Sequence, residues 1–380
     1  MTNLTKIFNI AIIKKIRFNL WDLTWRSFFA TTSIRAIATA LPQEKLDLLS
    51  LSSIYGEEIV RKIIKNTGIS EIRFCPPLPE NNQKTSADYC MESAKRIFSE
   101  GKITPDDIDA IIFVTEFPDH IVPHTSAIIQ AKLGLPNRVI AFDINYGCAG
   151  YVYGIFQASL LIESGYCENV LLCVGDTPTK AISPQDKSLR MVFGDAGSAT
   201  ILSRCENVRR TAFSFYTDGG KANNLIIPAG AFRMPHQEGV TDILTFDKNG
   251  NGRTLENIFM DGMQIMEFVL KHVKNVVHNT LEMLNLPIDA IDLFAFHQAN
   301  ILILNYLVQR LKIPHQKVPF GAAKTGNTTC ASIPLMLSTL YPGINPLLEK
   351  VLICGFGTGL SCASGVIDLS RTEIFEPVQI

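Results

Sequence analysis

Short apolar runs alternate with helix-like stretches along most of this chain, and two of these runs occur twice. "IDAIIFVTE" (108–116) resembles "IDLFAFHQA" (291–299), and "NVLLCVGDT" (169–177) resembles "KVLICGFGT" (350–358). The offsets are 291 − 108 = 183 and 350 − 169 = 181 residues. Similar segments at one long offset indicate a duplicated unit, and strands that alternate with helices favour parallel sheet covered by helices. We therefore predict an α/β fold built from two similar halves.

The regular pattern begins at about Ser33 and suggests two domains, residues 33–205 and residues 206–380. Residues 1–32 form an N-terminal extension with a net charge of +5 − 1 = +4, which we interpret as a mobile tail. A surface-seeking amphipathic helix or a transit peptide is the alternative for this segment. Residues 206–258 are rich in Gly and Asn with weak periodicity, so they are expected to form an insertion that shapes a binding site.

Two helical stretches differ in their pattern of apolar residues. Residues 149–164 carry one charge, Glu163, and Gly165 follows as a candidate C-cap, so this helix is expected inside the protein. Residues 263–284 place their apolar side chains on a single stripe, as in a helix that covers a sheet. Cys148 immediately precedes the first of these helices. The positive end of a helix dipole favours a thiolate over a thiol at such a position.

Composition limits the classes of function. The 380 residues contain 35 basic and 36 acidic side chains, so no overall field attracts nucleic acid. Nine cysteines without a paired spacing indicate reduced thiols, mostly buried, in a cytoplasmic protein. No apolar run reaches the roughly 18 residues of a membrane span. His120 and His124 have a metal-like spacing, but Pro123 lies between them; we interpret them as loop residues and expect no metal.

Three polar residues lie in corresponding turns after strands of the duplicated pattern: Cys148, His297 and Asn327. The segment "VLICGFGTGLS" (351–361) adds alternating glycines that let backbone amides approach a ligand. A dinucleotide loop would need a further helix and strand after Gly359, and no such crossover fits. A thiol, an imidazole, a carboxamide and glycine-loop amides together form a set suited to acyl transfer.

The motifs "GCAG", "FHQAN", "GNTTCASIP" and "GFGTGLS", in this order, resemble those of thiolase-fold condensing enzymes, most closely the β-ketoacyl-acyl-carrier-protein synthase III family. The resemblance runs from about Ser33 to the C-terminus and includes "TGISEIR" (67–73) and "FGDAGSAT" (193–200). It implies a thiolase-like fold, in which two duplicated α/β halves form a layered α-β-α-β-α sandwich. It also implies a homodimer, since Val122 lies in the loop that reaches the partner subunit in this family.

The resemblance implies a role for each candidate residue. Cys148 would take an acyl group from acyl-CoA or an acyl carrier protein, and the amides of Cys148 and Thr358 would form the oxyanion hole. Phe356 would pack beside the nucleophile. His297 and Asn327 would stabilise the enolate formed when malonyl-acyl-carrier-protein loses CO₂, and the enolate would then attack the acyl-cysteine. No cofactor is implied.

Several positions depart from the family pattern. Lys62 and Asn66 stand where a Trp and an Arg often bind the adenine of CoA, and Leu302 replaces a basic residue that docks the carrier protein. Arg310 and Lys312, placed on the same helix, are weaker docking candidates. Glu116 resembles the general base of hydroxymethylglutaryl-CoA synthases, which would permit condensation without decarboxylation; we favour a structural role for it.

Other functions stay open at this point. A thiolase-fold acyltransferase would show acyl loading without decarboxylation, and a non-catalytic partner subunit would show neither. The order Cys148, His297, Asn327 also fits a papain-like cysteine protease, although "GCAGY" lacks that family's signature. The acyl primer, its length and the pathway, whether fatty acid, secondary metabolite or surface polymer, do not follow from the sequence.

Overall fold

Two β-sheets form the centre of the molecule. A computed structural model describes residues 29–76, 83–206 and 210–380. In these residues the strands are β1 Thr32–Leu41, β2 Lys45–Asp47, β3 Glu71–Arg73, β4 Ala110–Thr115, β5 Ile140–Asn145, β6 Asn169–Asp176, β7 Ala196–Arg204, β8 Phe213–Thr217, β9 Leu225–Ile226, β10 Thr245–Phe246, β11 Gly252–Arg253, β12 Phe259–Met260, β13 Leu293–Phe296, β14 Val351–Gly357, β15 Ser361–Ile367, β16 Glu373–Ile374 and β17 Val378–Gln379.

Helices fill the space around and between these sheets. Over the same described ranges the α-helices are α1 Ser52–Tyr55, α2 Glu57–Thr67, α3 Ser86–Phe98, α4 Thr125–Leu133, α5 Gly150–Glu163, α6 Lys187–Arg190, α7 Gly262–Leu284, α8 Ile301–Leu311 and α9 Ser332–Leu340.

The two sheets repeat one topology. The larger has the order β16-β1-β7-β6-β4-β5, with β17 also on β1, and the smaller has β13-β14-β15-β8. In the larger sheet β4 is parallel to β6, while β7 is antiparallel to both β6 and β1. In the smaller sheet β13 is parallel to β14, while β15 is antiparallel to both β14 and β8. Strands β8, β15, β14 and β13 therefore match β1, β7, β6 and β4, which confirms the predicted duplication.

Five layers result from this arrangement. Helix α5 contacts β4, β6 and β7 of the larger sheet and β14 and β15 of the smaller, so it lies between them, as does α9. Helices α3 and α4 pack on the outer face of the larger sheet, and α7 and α8 on the outer face of the smaller. The predicted α-β-α-β-α sandwich is confirmed. The apolar helix predicted near 149–164 is the central α5, and the stripe near 263–284 is on the covering helix α7.

The segment 206–258 differs in part from its prediction. Its early part contains β8, which pairs with β15 as a strand of the smaller sheet, so it is not simply an insertion. The sequence missed β8 because "FSFYT" is short and lies among polar residues. After β8 the chain does form an irregular excursion, from which Leu225, Ile226 and Ile258 return to line a cavity. The prediction that this segment shapes a binding site therefore applies to its later part.

The described residues also show how the two ends of the fold are attached. The interpretation of residues 1–32 as an extension falls mainly on residues 1–28, outside the described residues. Phe29 is buried, exchanges backbone hydrogen bonds of 2.9 Å with Thr211 and packs edge-on against Phe156 and Phe213. Strands β16 and β17 return from the second half to pair with β1. The domain boundaries at 205 and 206 stay a prediction.

The cysteines largely follow the expectation from the sequence. All nine are free thiols, and eight of them are buried, with Cys205 half-exposed. Membrane-spanning segments were also sought along the described ranges, and no helix there has both the length and the apolar character to cross a bilayer.

Candidate active site

Cys148 lies in the turn between β5 and α5, directly below the glycine-rich end of β14. A Cβ atom on Gly357 would lie 2.7 Å from the Cys148 sulfur, and one on Gly355 would lie 2.5 Å from the Cα atom of Ala149. Contacts this short are not sterically possible, so only glycine lets this strand approach the turn so closely. The alternating glycines of the sequence therefore bring β14 of the second half onto the cysteine of the first.

The resting state of the Cys148 sulfur is a thiol. Burial raises the pKa of the Cys148 thiol, and the nearby carboxyl groups of Glu116 and Asp176 raise it further. Backbone hydrogen bonds from Thr358 and from Cys148 itself oppose this shift without cancelling it. The expectation that the helix terminus favours a thiolate is wrong for this state, because desolvation and two carboxyl groups outweigh the helix dipole.

His297 follows β13 and is held as a neutral imidazole. Its backbone N–H donates to the Cys354 carbonyl at 2.8 Å, and its Nδ1 atom lies 2.7 Å from the Ser332 hydroxyl. The Phe356 ring packs edge-on against it, with the ring centroids 5.4 Å apart. Burial lowers the pKa of His297 to about 3. At neutral pH the ring is therefore uncharged and carries one N–H donor.

Asn327 is fixed through both its backbone and its side chain. Its N–H donates to the Val192 carbonyl at 2.8 Å, and its carbonyl accepts from Gly194 at 3.0 Å. Its Oδ1 atom accepts the Thr329 backbone N–H at 3.0 Å. Because the amide oxygen is engaged with the backbone, the NH₂ group is the end of the side chain that is available to donate into the cavity.

Two cavities meet at Cys148. The first has a volume of about 350 Å³ and, apart from Glu116, Asn145, Thr329 and Thr358, its walls are mainly apolar: Phe117, Pro178, Phe193, Leu225, Ile226, Ile227 and Ile258. The second, of about 80 Å³, contains Cys148, His297 and Asn327 together with Phe356. The structure therefore brings the three candidate catalytic residues, which are 149 (297 − 148) and 30 (327 − 297) residues apart in sequence, into one cavity.

Glu116 borders the larger cavity from the end of β4. Burial raises the pKa of its carboxyl to about 8, with a further contribution from Asp176. The Thr358 side chain acts as a hydrogen-bond partner that opposes the shift. The threonine that departs from the family's glycine therefore contacts the glutamate that departs from the usual active site.

Arg310 and Lys312 do not reach either cavity. Both side chains are exposed, and helix α8 ends at Leu311, so Lys312 caps the helix rather than lying on it as predicted. Leu302, at the start of α8, is 42% exposed. His120 and His124 lie in the loop before α4, as interpreted from the sequence. Over the described ranges, no group of three or more His, Cys, Asp or Glu side chains is arranged to bind a metal.

Three residues that contact the site were missed from the sequence: Ser332, Thr329 and Asp176. Ser332 begins α9 and Thr329 lies in the 3₁₀ turn before it, so both are within five residues of Asn327. Asp176 closes the strand β6, which is otherwise almost entirely buried. A carboxylate at the end of such a strand was a usable signal, because an ionised side chain is costly to bury without partners.

Known structures share this fold over nearly the whole chain. A 2.1 Å crystal structure of a 3-oxoacyl-(acyl-carrier-protein) synthase III is 36% identical and covers 89% of this chain and 99% of its own, with a TM-score of 0.83. The 3-oxoacyl-(acyl-carrier-protein) synthase from Burkholderia xenovorans is 32% identical and covers 93% and 98%, with a TM-score of 0.85. Fold and site together define a thiolase-fold condensing enzyme, an acyltransferase.

The sequence comparisons narrow this class to one family. Residues 142–219 match the model of 3-oxoacyl-[acyl-carrier-protein] synthase III, and residues 281–369 match the model of its C-terminal part. The β-ketoacyl-[acyl-carrier-protein] synthase III of Caldanaerobacter subterraneus is 35% identical over 311 residues, which is 81% of this chain and 89% of the relative. The chain belongs to the β-ketoacyl-[acyl-carrier-protein] synthase III family. The papain-like protease alternative is not favoured, because neither the duplicated fold nor the matching families support it.

Proposed function

We propose that Cys148 is the nucleophile that receives the acyl primer, and that His297 and Asn327 act on the second substrate. The observation that carries this proposal is the position of Cys148 where two cavities meet, one mainly apolar and one containing both polar donors. An acyl chain attached to the sulfur fits the first cavity, while a malonyl thioester reaches the second. One sulfur thus serves both halves of a condensation.

In the first step, the Cys148 sulfur attacks the carbonyl of an acyl thioester, and the carrier thiol leaves with the proton of the cysteine. The backbone amides of Cys148 and Thr358 form the oxyanion hole. Both amides contact the sulfur in the resting enzyme, which supports this assignment. A backbone donor is unaffected by the replacement of a glycine by Thr358, so this departure from the family does not remove the oxyanion hole.

In the second step, malonyl-acyl-carrier-protein loses CO₂, and the electron pair of the broken C–C bond forms an enolate. His297, neutral with one N–H, and Asn327, with its NH₂ directed to the cavity, donate to the enolate oxygen. Two preorganised donors are what such a charge requires, and no strong base is needed. The enolate carbon then forms a bond to the acyl carbonyl and Cys148 leaves. Phe356 holds the imidazole by packing against its edge.

The primer is expected to be an acyl group of moderate size. The larger cavity has about 350 Å³, at the lower end of the range for ligand sites. Either acyl-CoA or an acyl carrier protein is a possible donor, and Lys62 and Asn66 in place of the adenine-binding residues favour the carrier protein. Arg310 and Lys312, exposed on the surface, are proposed to contact the acidic carrier. No cofactor enters either step.

Glu116 is proposed to support the site rather than to act as its base. A carboxyl with a pKa of about 8 is mostly protonated at neutral pH, so it is a poor acceptor for an α-proton in the resting enzyme. A condensation without decarboxylation would need its ionised form. Retention of malonyl-dependent product formation in Glu116→Gln supports this role, whereas its loss would make Glu116 the base.

The chain is also proposed to form a homodimer in the cytoplasm. Strand β5 is an edge of the larger sheet and is half-buried along most of its length, so its outer backbone groups are free to pair with a second copy. Ile121 and Val122 in the preceding loop are 69% and 80% exposed, which is unfavourable unless another surface covers them. Sedimentation equilibrium tests this: a monomer at micromolar concentration would contradict it.

The function is tested by mass spectrometry of the intact protein with a panel of acyl-CoAs and acyl carrier proteins, followed by malonyl-acyl-carrier-protein. We expect one covalent acyl adduct and then release of a β-ketoacyl product. Cys148→Ala should abolish the adduct. Cys205→Ala is the matched control, because Cys205 is the one half-exposed cysteine in the described residues and the most accessible to nonspecific acylation. An adduct that survives in Cys148→Ala would overturn the assignment.

A further inference from the structure

Asp176 is a wholly buried carboxylate whose partners come from both halves of the fold. On one side its Oδ1 atom accepts hydrogen bonds of 2.8 Å from the Thr115 hydroxyl and from the Glu116 backbone N–H. On the other side its Oδ2 atom accepts the Thr329 hydroxyl, and the Cys330 thiol lies 3.2 Å away. No cation pairs with it among the described residues. Four neutral donors thus replace the water lost on burial.

The partner Thr329 has an unusual backbone conformation. Its φ is +47°, in the left-handed region that a β-branched residue rarely adopts. Such a conformation persists only where the surroundings impose it. Within this turn, the side-chain contact that can hold Thr329 is the hydrogen bond from its hydroxyl to Asp176. The carboxylate therefore determines the direction of the Thr329 backbone.

The Thr329 backbone in turn contacts both proposed donors. Its N–H binds Oδ1 of Asn327 at 3.0 Å, which turns the NH₂ group toward the cavity. Its backbone also forms a hydrogen bond with the ring of His297. A chain of contacts thus runs from Asp176 through one strained residue to the two side chains that face the second substrate.

The duplication shows where this arrangement comes from. Helices α5 and α9 begin at Gly150 and Ser332, an offset of 332 − 150 = 182 residues. With that offset, Cys330 corresponds to Cys148 (330 − 148 = 182), and Asp176 corresponds to Thr358 (358 − 176 = 182). In the first half's turn, the cysteine contacts the backbone of Thr358; in the second half's turn, the cysteine contacts the carboxylate of Asp176. The same place in the fold serves chemistry once and positioning once.

We propose that Asp176 is a positioning residue for the decarboxylation step: by binding Thr329 it orients Asn327 and His297 toward the enolate. This inference rests on the proposed function of these two residues. Asp176 does not touch the substrate. Loss of its bond to Thr329 should therefore slow decarboxylation while leaving acylation of Cys148 intact.

Thr329→Val is the sharpest test, because it removes the hydroxyl that Asp176 binds and keeps the shape of the side chain. In enzyme preloaded with acyl group, we expect kcat for CO₂ release from malonyl-acyl-carrier-protein to fall about tenfold or more, as expected for misplaced donors. KM should change little. Thr329→Ser keeps the hydroxyl and should restore most of the rate. Acyl loading, followed by intact mass, should match the parent protein in both variants.

Two further variants separate positioning from general destabilisation. Thr280→Val removes another fully buried threonine hydroxyl, bonded to Ser364 and remote from the site, and should lower stability without changing CO₂ release. Asp176→Asn in the Thr329→Val background should add little to the loss of rate, because both changes break one contact. Additive losses, or equal losses of acylation and CO₂ release, would overturn the proposal.

The failure of this inference and that of the proposed function can be told apart with Asn327→Ala. If Asn327→Ala abolishes CO₂ release and Thr329→Val does not, only the role of Asp176 is wrong. If Asn327→Ala releases CO₂ at the parent rate, the assigned role of Asn327 is wrong and the positioning proposal falls with it.

Discussion

The Nδ1 atom of His297 lies 2.7 Å from the hydroxyl of Ser332, the first residue of the central helix α9. The same hydroxyl accepts the backbone N–H of Gln298 at 3.3 Å. Ser332 therefore ties the imidazole of one strand end to the helix that follows Asn327. Its contact fixes the orientation of the ring, which decides where the remaining ring nitrogen points.

Removal of this contact should loosen the imidazole. We expect Ser332→Ala to lower the rate of malonyl decarboxylation about two- to tenfold, the equivalent of one ordinary hydrogen bond. Ser338→Ala is the matched control, because Ser338 lies in the same helix, is fully buried and has a hydroxyl without a hydrogen-bond partner. Steady-state CO₂ release measures both variants. Equal rates in the two would show that Ser332 does not orient the ring.

His297 should separate the two half-reactions. Because burial lowers its pKa to about 3, the ring stays neutral from pH 5 to pH 7. We expect single-turnover decarboxylation by the acyl-enzyme to show no titration near pH 6.5 in this window. His297→Ala should reduce decarboxylation about 10²- to 10³-fold, as for loss of an oxyanion donor, while acyl loading persists. Equal loss of both steps would contradict the assignment.

Glu116 should make the stability of the protein depend on pH. Its carboxyl has a pKa of about 8 when folded and about 4.5 when unfolded, so between these values the folded state holds the extra proton. Its contribution to stability is therefore complete below about pH 4.5 and is lost as the pH rises through 8. We expect the melting temperature of the parent protein to fall by a few degrees relative to Glu116→Gln between pH 5 and pH 8. Parallel curves would contradict the raised pKa.

Gly357 should be essential for acylation but not for folding. A methyl group there would lie 2.7 Å from both Cβ and Sγ of Cys148 and would push the thiol from its position. We expect Gly357→Ala to lower the rate of acyl loading at least 100-fold, because a nucleophile displaced by about 1 Å loses this much. Gly219→Ala is the control, since no atom lies within 4 Å of its added methyl. Parent-like loading in Gly357→Ala would contradict the packing of β14 against the nucleophile.

Arg253 should anchor the excursion that walls the larger cavity. Its guanidinium lies 2.9 Å from the carboxylate of Asp186, which is 1% exposed. Arg253→Met leaves that charge without its cation, and we expect a loss of roughly 3 kcal/mol in the free energy of unfolding by urea. Arg61→Met, which breaks an exposed pair with Glu57, should change it by less than about 1 kcal/mol. Equal changes would show that the Arg253 pair is not structural.

The sequence was sufficient for the parts of the site that follow local patterns. Repeated strands and glycines predicted the duplication, and strand ends predicted that Cys148, His297 and Asn327 would meet. The pairing of the turns was wrong in detail: the helix starts align Cys148 with Cys330, whereas the sequence comparison matched it to Asn327. A short 3₁₀ turn before α9 causes this difference, and such a turn leaves no periodic signal.

Other properties depend on contacts that no single segment contains. The raised pKa of Cys148 reflects burial by both halves and two distant carboxyl groups, so the helix terminus alone gave the wrong direction. Asp176 looked like the end of a strand because its partners Thr115 and Thr329 are 61 and 153 residues away. Buried polar contacts across such separations become visible only when the chain is folded.

The pairing of β16 and β17 with β1 has a consequence for synthesis of the protein. β1 receives these partners only after residues 373–379 have left the ribosome, so its edge stays open while the rest of the chain is translated. An unpaired edge of this kind is a template for association between nascent chains. A fragment that stops before residue 373 would keep that edge permanently, and it should aggregate even though every proposed catalytic residue is present.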